Sequence, residues 1–428
     1  MKIDTADTAW MLVSCALVLL MTPGLALFYG GMVHSKNVLS TFMHSFIALG
    51  ILTLQWVLFG YSLAFGTSHG GMIGGLDLAM LDTVGMAPRA GMTIPHLLFM
   101  AFQMMFAIIT PALISGAFAE RLKFSTYLVF SVLWATLVYD PVCHWVWHPD
   151  GWLLKRGALD FAGGTVVHMT AGFSALVFAI VIGKRKRPSP PHNLTMTLTG
   201  AGLLWFGWFG FNAGSALTSG SLATLALVNT HIAAAAGAVT WALVEYFKQG
   251  KPTALGVASG LVAGLVGITP AAGFISPMSA AVLGGAAGIV CFGGVMLKSK
   301  FGYDDALDAF GVHGVGGLLG ALLTGVLASS GWNTAVTMQG AELVKEQAIG
   351  AGVTAVYSVV VTFVLLKVLD ATMGLRVEED VEREGLDINL HGEQGYILAG
   401  EGGLMSSEES SHGHSHAHAT AAVASTAT

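Results

Sequence analysis

The sequence predicts an all-α integral membrane protein of eleven transmembrane helices, an inverted five-helix repeat plus a final helix, with the N-terminus outside and the C-terminus inside. Three observations predict it. Of 428 residues, 54% are hydrophobic and only 10% charged, against about 25% charged in soluble domains. Mean hydropathy is +0.70. The apolar residues gather in long runs of about 20, the length a helix needs to cross a bilayer, not in the short alternating segments of a barrel. This composition excludes disorder and an ordinary soluble enzyme. With 19 basic and 25 acidic residues the net charge is −6, which leaves no footprint for nucleic acid.

In chain order the runs lie near 9–31, 38–66, 95–118, 124–147, 163–183, 194–216, 222–247, 253–272, 276–297, 306–329 and 347–370. The opening MKIDTADTAW carries two aspartates and no cleavable-signal pattern, so the first run reads as a retained helix. An odd number of spans puts the termini on opposite sides. Fourteen of the 19 basic residues, including Lys184, Arg185, Lys186 and Arg187, fall on one side if the N-terminus is outside. That is the cytoplasmic excess expected of short loops. Outer loops near 67–94, 148–162 and 330–346 are irregular. Cys15, Cys143 and Cys291 lie far apart in apolar runs and read as inert packing residues. The spans define a transmembrane domain over 1–370. An acidic, polar cytoplasmic tail follows over 371–396, and a low-complexity His-rich extension over 397–428 reads as disordered.

Two polar segments match. DFAGGTVVHMTAG starts at Asp160 and DALDAFGVHGVGG contains Asp305 at its head. Each places Asp eight residues before His (His168, His313) and Gly four residues after it (Gly172, Gly317). They fall five spans apart, so one copy must be inverted, and inverted repeats place a substrate path near the bilayer midplane. A shared helix-packing signature would give the same short match; the repeat is the preferred reading. His168 is expected near the start of the fifth span and His313 near the middle of the tenth. Intramembrane ionisable residues are costly and usually face a pathway. A charged imidazolium is expensive to bury, so two neutral rings can hydrogen-bond and keep a donor or acceptor for a guest or a proton. Either histidine alone is more often satisfied by backbone carbonyls; the repeated spacing shifts the balance. His44 and His231 lack such company and read as packing residues or as helix–helix hydrogen-bond partners. Asp160 and Asp305 read as helix-end anchors that satisfy free backbone donors, and Asp160 adds negative potential near the outer face.

Aromatics supply a second constellation. MAFQMMF puts Phe102 and Phe106 one turn apart. WFGWFGFNAGS puts Trp208, Phe211 and Ser215 on roughly one face, and HWVWHPDGW puts Trp145 and Trp147 near the outer end of the fourth span. Aromatic faces attract cations, Trp best, and Ser215 offers a hydrogen-bond acceptor. An interfacial aromatic belt with Phe packing is the plainer alternative for each motif alone.

These residues resemble the ammonium transporter (Amt/MEP/Rh) family, on its Amt branch, from about residue 9 to 396. The carriers are PGLALFYGG at 23–31, KNVLS at 36–40, GYSLAFG at 60–66, GAFAERLKFS at 116–125 and ALDFAGGTVVH at 158–168. GWFGFNAGSA at 207–216, GLVGITPAAG at 264–273, DAFGVHGVGG at 308–317 and GLRVEEDVEREGLDINLHGE at 374–393 complete them. The resemblance implies ammonium uptake across the cytoplasmic membrane by a homotrimer with one pore per protomer, and no cofactor. It implies an outer ammonium site of Trp147, Ser215, Phe102 and Phe106, a gate of Phe106 over Phe211, and a proton relay of His168 and His313, with Asp160 in support. The tail resembles one that contacts a PII signalling protein, although packing on cytoplasmic loops would need the same residues. The HGHSHAHA run departs from the family pattern; weak binding of zinc, copper or nickel is its less favoured reading. A passive ammonia channel and an ammonium sensor with little transport are the rival functions. An enzyme is a poor fit, with no HExxH motif or nucleophile–base pair beside the histidines.

Overall fold

The computed structural model describes residues 2–396; Met1 and 397–428, with the His-rich extension, lie outside the described residues. Every apolar run coincides with a helical stretch. Ten are long and apolar enough to span a bilayer: α1 Thr5–Met32, α2 Ser35–Phe65, α3 His96–Phe118, α4 Phe124–Lys155, α5 Gly164–Ile182, α6 Leu194–Ala213, α7 Ser221–Gln249, α9 Pro277–Phe301, α10 Phe310–Leu327 and α11 Ala341–Thr372. Between α7 and α9 lies α8, Ala254–Ile268, of 15 residues, about 22 Å long at 1.5 Å per residue. It can be short because it runs inside the bundle: every residue from Gly260 to Ile268 is buried. By contrast α11 exposes Val356, Val360, Val364 and Val368 along one flank, as a helix facing acyl chains should. Among the described residues the one sheet is a two-residue pairing, β1 Ser68–His69 with β2 Ile73–Gly74, in the loop after α2.

The matched segments differ from expectation in one respect. The tenth helix starts at Phe310, not near 306, so His313 lies in its first turn, as His168 does in α5. The reason is Asp305. Its Oδ1 accepts from Ala309 N at 3.1 Å and its Oδ2 from Phe310 N at 2.8 Å, so Asp305 to Asp308 form the cap rather than a helical turn. Asp160 does the same for α5, accepting from Gly163, Gly164, Thr165 and Val166 N at 2.7 to 3.0 Å. The glycines complete the repeat. A Cβ on Gly172 would lie 2.1 Å from Gly314 N, and one on Gly317 would lie 2.8 Å from Gly164 O and 3.1 Å from His168 Cβ. The contacts are reciprocal, each helix pressing its glycine onto the His turn of the other. The close approach brings α5 and α10 together at the histidines.

The residues expected on the cytoplasmic side form an ion-paired layer. Arg121 is fully buried and donates to the carbonyls of Ala117, Ala119, Gly183 and Asp304. Arg185 forks onto Asp304 at 2.9 Å through Nε and Nη2 and reaches Glu120 at 2.8 Å. Burial alone would raise the Asp304 carboxyl, but the Arg185 fork and charge, with Arg121 behind, hold it down at about 2. The tail, with α12 at Glu379–Glu384, is docked on this layer. Leu375 O accepts from Lys123 N and Val377 N donates to Arg121 O. Arg376 pairs with Glu382 and caps Ile182 O and Lys184 O. Asp387 accepts from Leu39 N and Ser40 N at the start of α2.

Candidate functional site

A cavity of about 240 Å³, on the side expected to face outward, opens between α2, α3, α4 and the end of α6; its wall includes Gln103, Phe106, Trp147, Phe161 and Ser215. Trp147 is fixed there because its indole Nε1 donates to Asp160 O at 2.9 Å. Its ring stands nearly perpendicular to Phe106, with centroids 5.8 Å apart. Ser215 lies just past α6. Its hydroxyl donates to Phe211 O at 2.8 Å, which leaves the oxygen lone pairs free to accept. Phe102 is fully buried and packs edge-on behind Phe106 at 4.9 Å; it supports the wall rather than lining it.

Beneath this cavity Phe106 and Phe211 lie 4.3 Å apart, centroid to centroid. On the far side is a narrow space of about 10 Å³ lined by Phe211, Trp208, His168, His313, Val167 and Ile109. The two phenyl rings therefore separate a wide polar-edged vestibule from a tight, mostly apolar slot. At the slot the imidazoles lie nearly parallel, 23° between planes, and their Nδ1 atoms approach to 3.2 Å. Only one of two neutral rings can carry its hydrogen on a shared Nδ1 contact, so the other must carry it on Nε2. The pair is thus polarised: one ring presents an Nε2 acceptor and the other an Nε2 donor. His168 Nε2 has no hydrogen-bond partner among the described residues although it is buried, which is the position a guest with donors or acceptors would fill. Trp208 stacks on His168 at 5.4 Å and is held by its own bond to Thr269 Oγ1. α6 brings Trp208 and Phe211 to the slot, the latter within a π-turn over Phe209–Ala213, a one-residue widening that recurs at functional sites.

Trp208 thus stands in the inner slot, below Phe211, while Ser215 faces the outer cavity. Trp145 turns away from the cavity, donating to Met72 O at 2.7 Å and packing on Tyr357. His44 is buried among Phe118, Phe124 and Tyr127, as expected of packing. His231 instead lies on the outer surface of the bundle, stacked on Trp205 at 5.1 Å; a 3.6-residue helix face must be counted from the right neighbour, and α7 turns this one outward. Gln103 also lines the cavity, and its buried Oε1 has no partner among the described residues; the one sequence signal for it is an amide among the apolar residues of MAFQMMF.

No cluster of three or more His, Cys, Asp or Glu side chains suited to a metal occurs among the described residues. The chain matches the Ammonium Transporter Family over residues 9–396. It is 54% identical over 398 residues to an ammonium transporter of Bacillus subtilis (strain 168), covering 91% of this chain and 98% of that protein. Ammonium transporter Amt1 of Archaeoglobus fulgidus is 45% identical over 396 residues, 91% of this chain and 99% of that one. The crystal structure of Saccharomyces cerevisiae Mep2 superposes with a TM-score of 0.84 at 39% identity, over 89% of each chain. A sensor Amt protein superposes with a TM-score of 0.85 at 30% identity, over 90% of this chain and 98% of that one. With apolar helices throughout and a family match over nearly its whole length, the chain is a multi-pass membrane protein and belongs to the ammonium transporter family.

Proposed function

We propose that this protein takes up ammonium across the cytoplasmic membrane, with its N-terminus outside, by admitting the ion to the outer cavity and passing ammonia through the slot. An ammonium ion is a permanent donor of four N–H groups. In the vestibule the Trp147 and Phe106 faces offer cation–π attraction, and the Ser215 and Gln103 oxygens offer acceptors. Potassium can use the aromatic faces but has no hydrogens to give and no proton to lose. A bare charge in the apolar slot costs several kcal/mol, so the ion gives up its proton above Phe106 and Phe211. Ammonia then slips between the two rings and hydrogen-bonds along the histidines. The proton crosses separately through the polarised His168–His313 pair with intervening water, which makes transport electrogenic. Asp160 acts by building the first turn of α5 and holding Trp147 through its carbonyl.

The observation that carries this reading is the Nδ1–Nδ1 contact of 3.2 Å directly below the paired phenyl rings. The experiment is a reconstitution in liposomes with current and lumen pH recorded together after an ammonium pulse, potassium serving as control. The expected result is a saturable inward positive current specific to ammonium, lost in His168→Ala. A pH change without current would replace the relay with passive ammonia flow; an unchanged current in His168→Ala would remove the histidines from the proton path. The assembly expected is a homotrimer with one pore in each protomer. We further infer that 371–396 is a regulatory unit distinct from the transmembrane domain, and that a PII signalling protein reads it. The likeness to a sensor Amt protein supports a second reading, in which ammonium occupancy is transmitted to the docked tail with little flux. Ammonium-dependent protection of the tail without current would favour it.

A further inference from the structure

The outer cavity already holds a cation of its own. Arg89, from the irregular 67–94 loop, lines the same space as Phe106, Trp147 and Ser215. Its guanidinium carbon lies 5.6 Å from the ring centroid of Phe65 and 5.3 Å from that of Phe99. One Nη donates to Tyr61 Oη at 3.1 Å and the other to Phe65 O at 3.2 Å; the Tyr61 hydroxyl is in turn bonded to His96 Nε2 at 2.6 Å. None of these partners is an acid, and the ion pairs among the described residues do not include Arg89. Two aromatic faces at the mouth of a cation site are therefore occupied by a tethered positive charge that makes no ion pair among the described residues.

A fixed charge raises the energy of each entering cation in proportion to that cation's charge. The aromatic faces and acceptor oxygens below attract any cation, and they attract a divalent one more strongly. We propose that Arg89 is a valence filter: it weakens binding of monovalent cations in the vestibule a little, and excludes divalent cations by the square of that factor. Hydrogen bonding at Ser215 and Gln103 then discriminates among the monovalent ions that pass. The inference rests on the reading of this cavity as the entry site for ammonium. Arg89 also pins its loop to α2, so the test must separate charge from support.

Ammonium KM and half-inhibition by Mg²⁺ are measured on reconstituted wild type, Arg89→Lys, Arg89→Gln and Arg89→Met, at low and high salt. Met keeps an apolar stem against Phe65 and Phe99 and serves if Gln fails to fold. Across a cavity of this size the neutral variants should lower ammonium KM by roughly two- to fivefold and strengthen Mg²⁺ inhibition by roughly the square, about four- to twenty-fivefold. Both effects should shrink at high salt, where charges are screened within about 10 Å or less, and Arg89→Lys should stay near wild type. Equal factors for the two ions, effects that persist at high salt, or a lysine variant behaving like the neutral ones would each overturn the filter and leave a supporting role. Calorimetric titration of detergent-purified protein with ammonium chloride and with magnesium chloride repeats the comparison without transport. Absence of ammonium current in wild type would therefore count against the uptake reading alone, while the ratio of the two binding shifts still decides the filter.

Discussion

Ser215 spends its hydrogen on Phe211 O, so the only hydrogen bond it can offer the cavity is as an acceptor, which suits ammonium and not an anion. A hydrogen bond to a charged group is worth roughly 1.5–3 kcal/mol. Ser215→Ala should therefore raise the ammonium KM about tenfold or more, while folding, read by size-exclusion and thermal midpoint, stays near wild type. An unchanged KM would place the ion elsewhere in the vestibule. Gly172 makes a sharper structural prediction. A methyl there meets Gly314 backbone at 2.1 to 2.3 Å with no flexible side chain to yield, so Gly172→Ala must push α5 and α10 apart. Overpacking of this kind costs about 1–3 kcal/mol. The thermal midpoint should fall and ammonium flux should drop, because the Nδ1 contact cannot survive the displacement. Preserved flux in a destabilised variant would show that the pair tolerates separation.

At the scale of elements, the Asp–His–Gly spacing has a single physical reading. Asp supplies acceptors to the free N–H groups of the first turn, His projects from that turn, and Gly removes the Cβ that would hold the helices apart. The spacing was legible in the sequence because each job needs a particular residue type at a particular offset. What was not legible was the start of α10: Ala306–Leu307 continue the apolar pattern, but Asp308 takes a positive φ of 62° that breaks the helix, and Asp305 caps Ala309 and Phe310 N beyond it. The π-turns in α5, α6 and α10 were equally hidden, since a one-residue widening leaves no compositional mark. The tail layer carries its own prediction. The Asp304 carboxyl, held at about 2 by Arg185 and Arg121 against the opposing effect of burial, lies below its ordinary value of about 3.9. A depressed carboxyl contributes stability that is complete above about pH 4 and is lost as pH falls toward 2. The difference in thermal midpoint between wild type and Asp304→Asn should be flat from pH 7 to about 4 and should narrow below. A difference that varied between pH 7 and 5 would assign the pH response to another group.

At the scale of the molecule, the long apolar runs made the helical membrane architecture and the order of its helices readable, whereas the vestibule was readable only in part. Phe106, Trp147, Phe211 and Ser215 could be picked out because aromatic and hydroxyl residues recur at helical spacing. Arg89 could not, because it reaches the cavity from a loop whose path no periodicity encodes. Orientation is the remaining whole-molecule property, and it rests on the asymmetry of basic residues. The proposed orientation puts the Arg121, Arg185 and Arg376 layer with its docked tail inside the cell, and the vestibule outside. The three native cysteines are buried or half-buried, so new exposed ones report cleanly. Leu76, in the vestibule loop, is 65% exposed, and Ile388, in the tail, is 41% exposed. A membrane-impermeant maleimide applied to intact cells should label Leu76→Cys and spare Ile388→Cys, with the second labelled only after permeabilisation. The reverse pattern would invert the molecule, put the wide cavity on the cytoplasmic face and turn the proposed uptake into export; it would also place the tail beyond the reach of any cytoplasmic signalling partner.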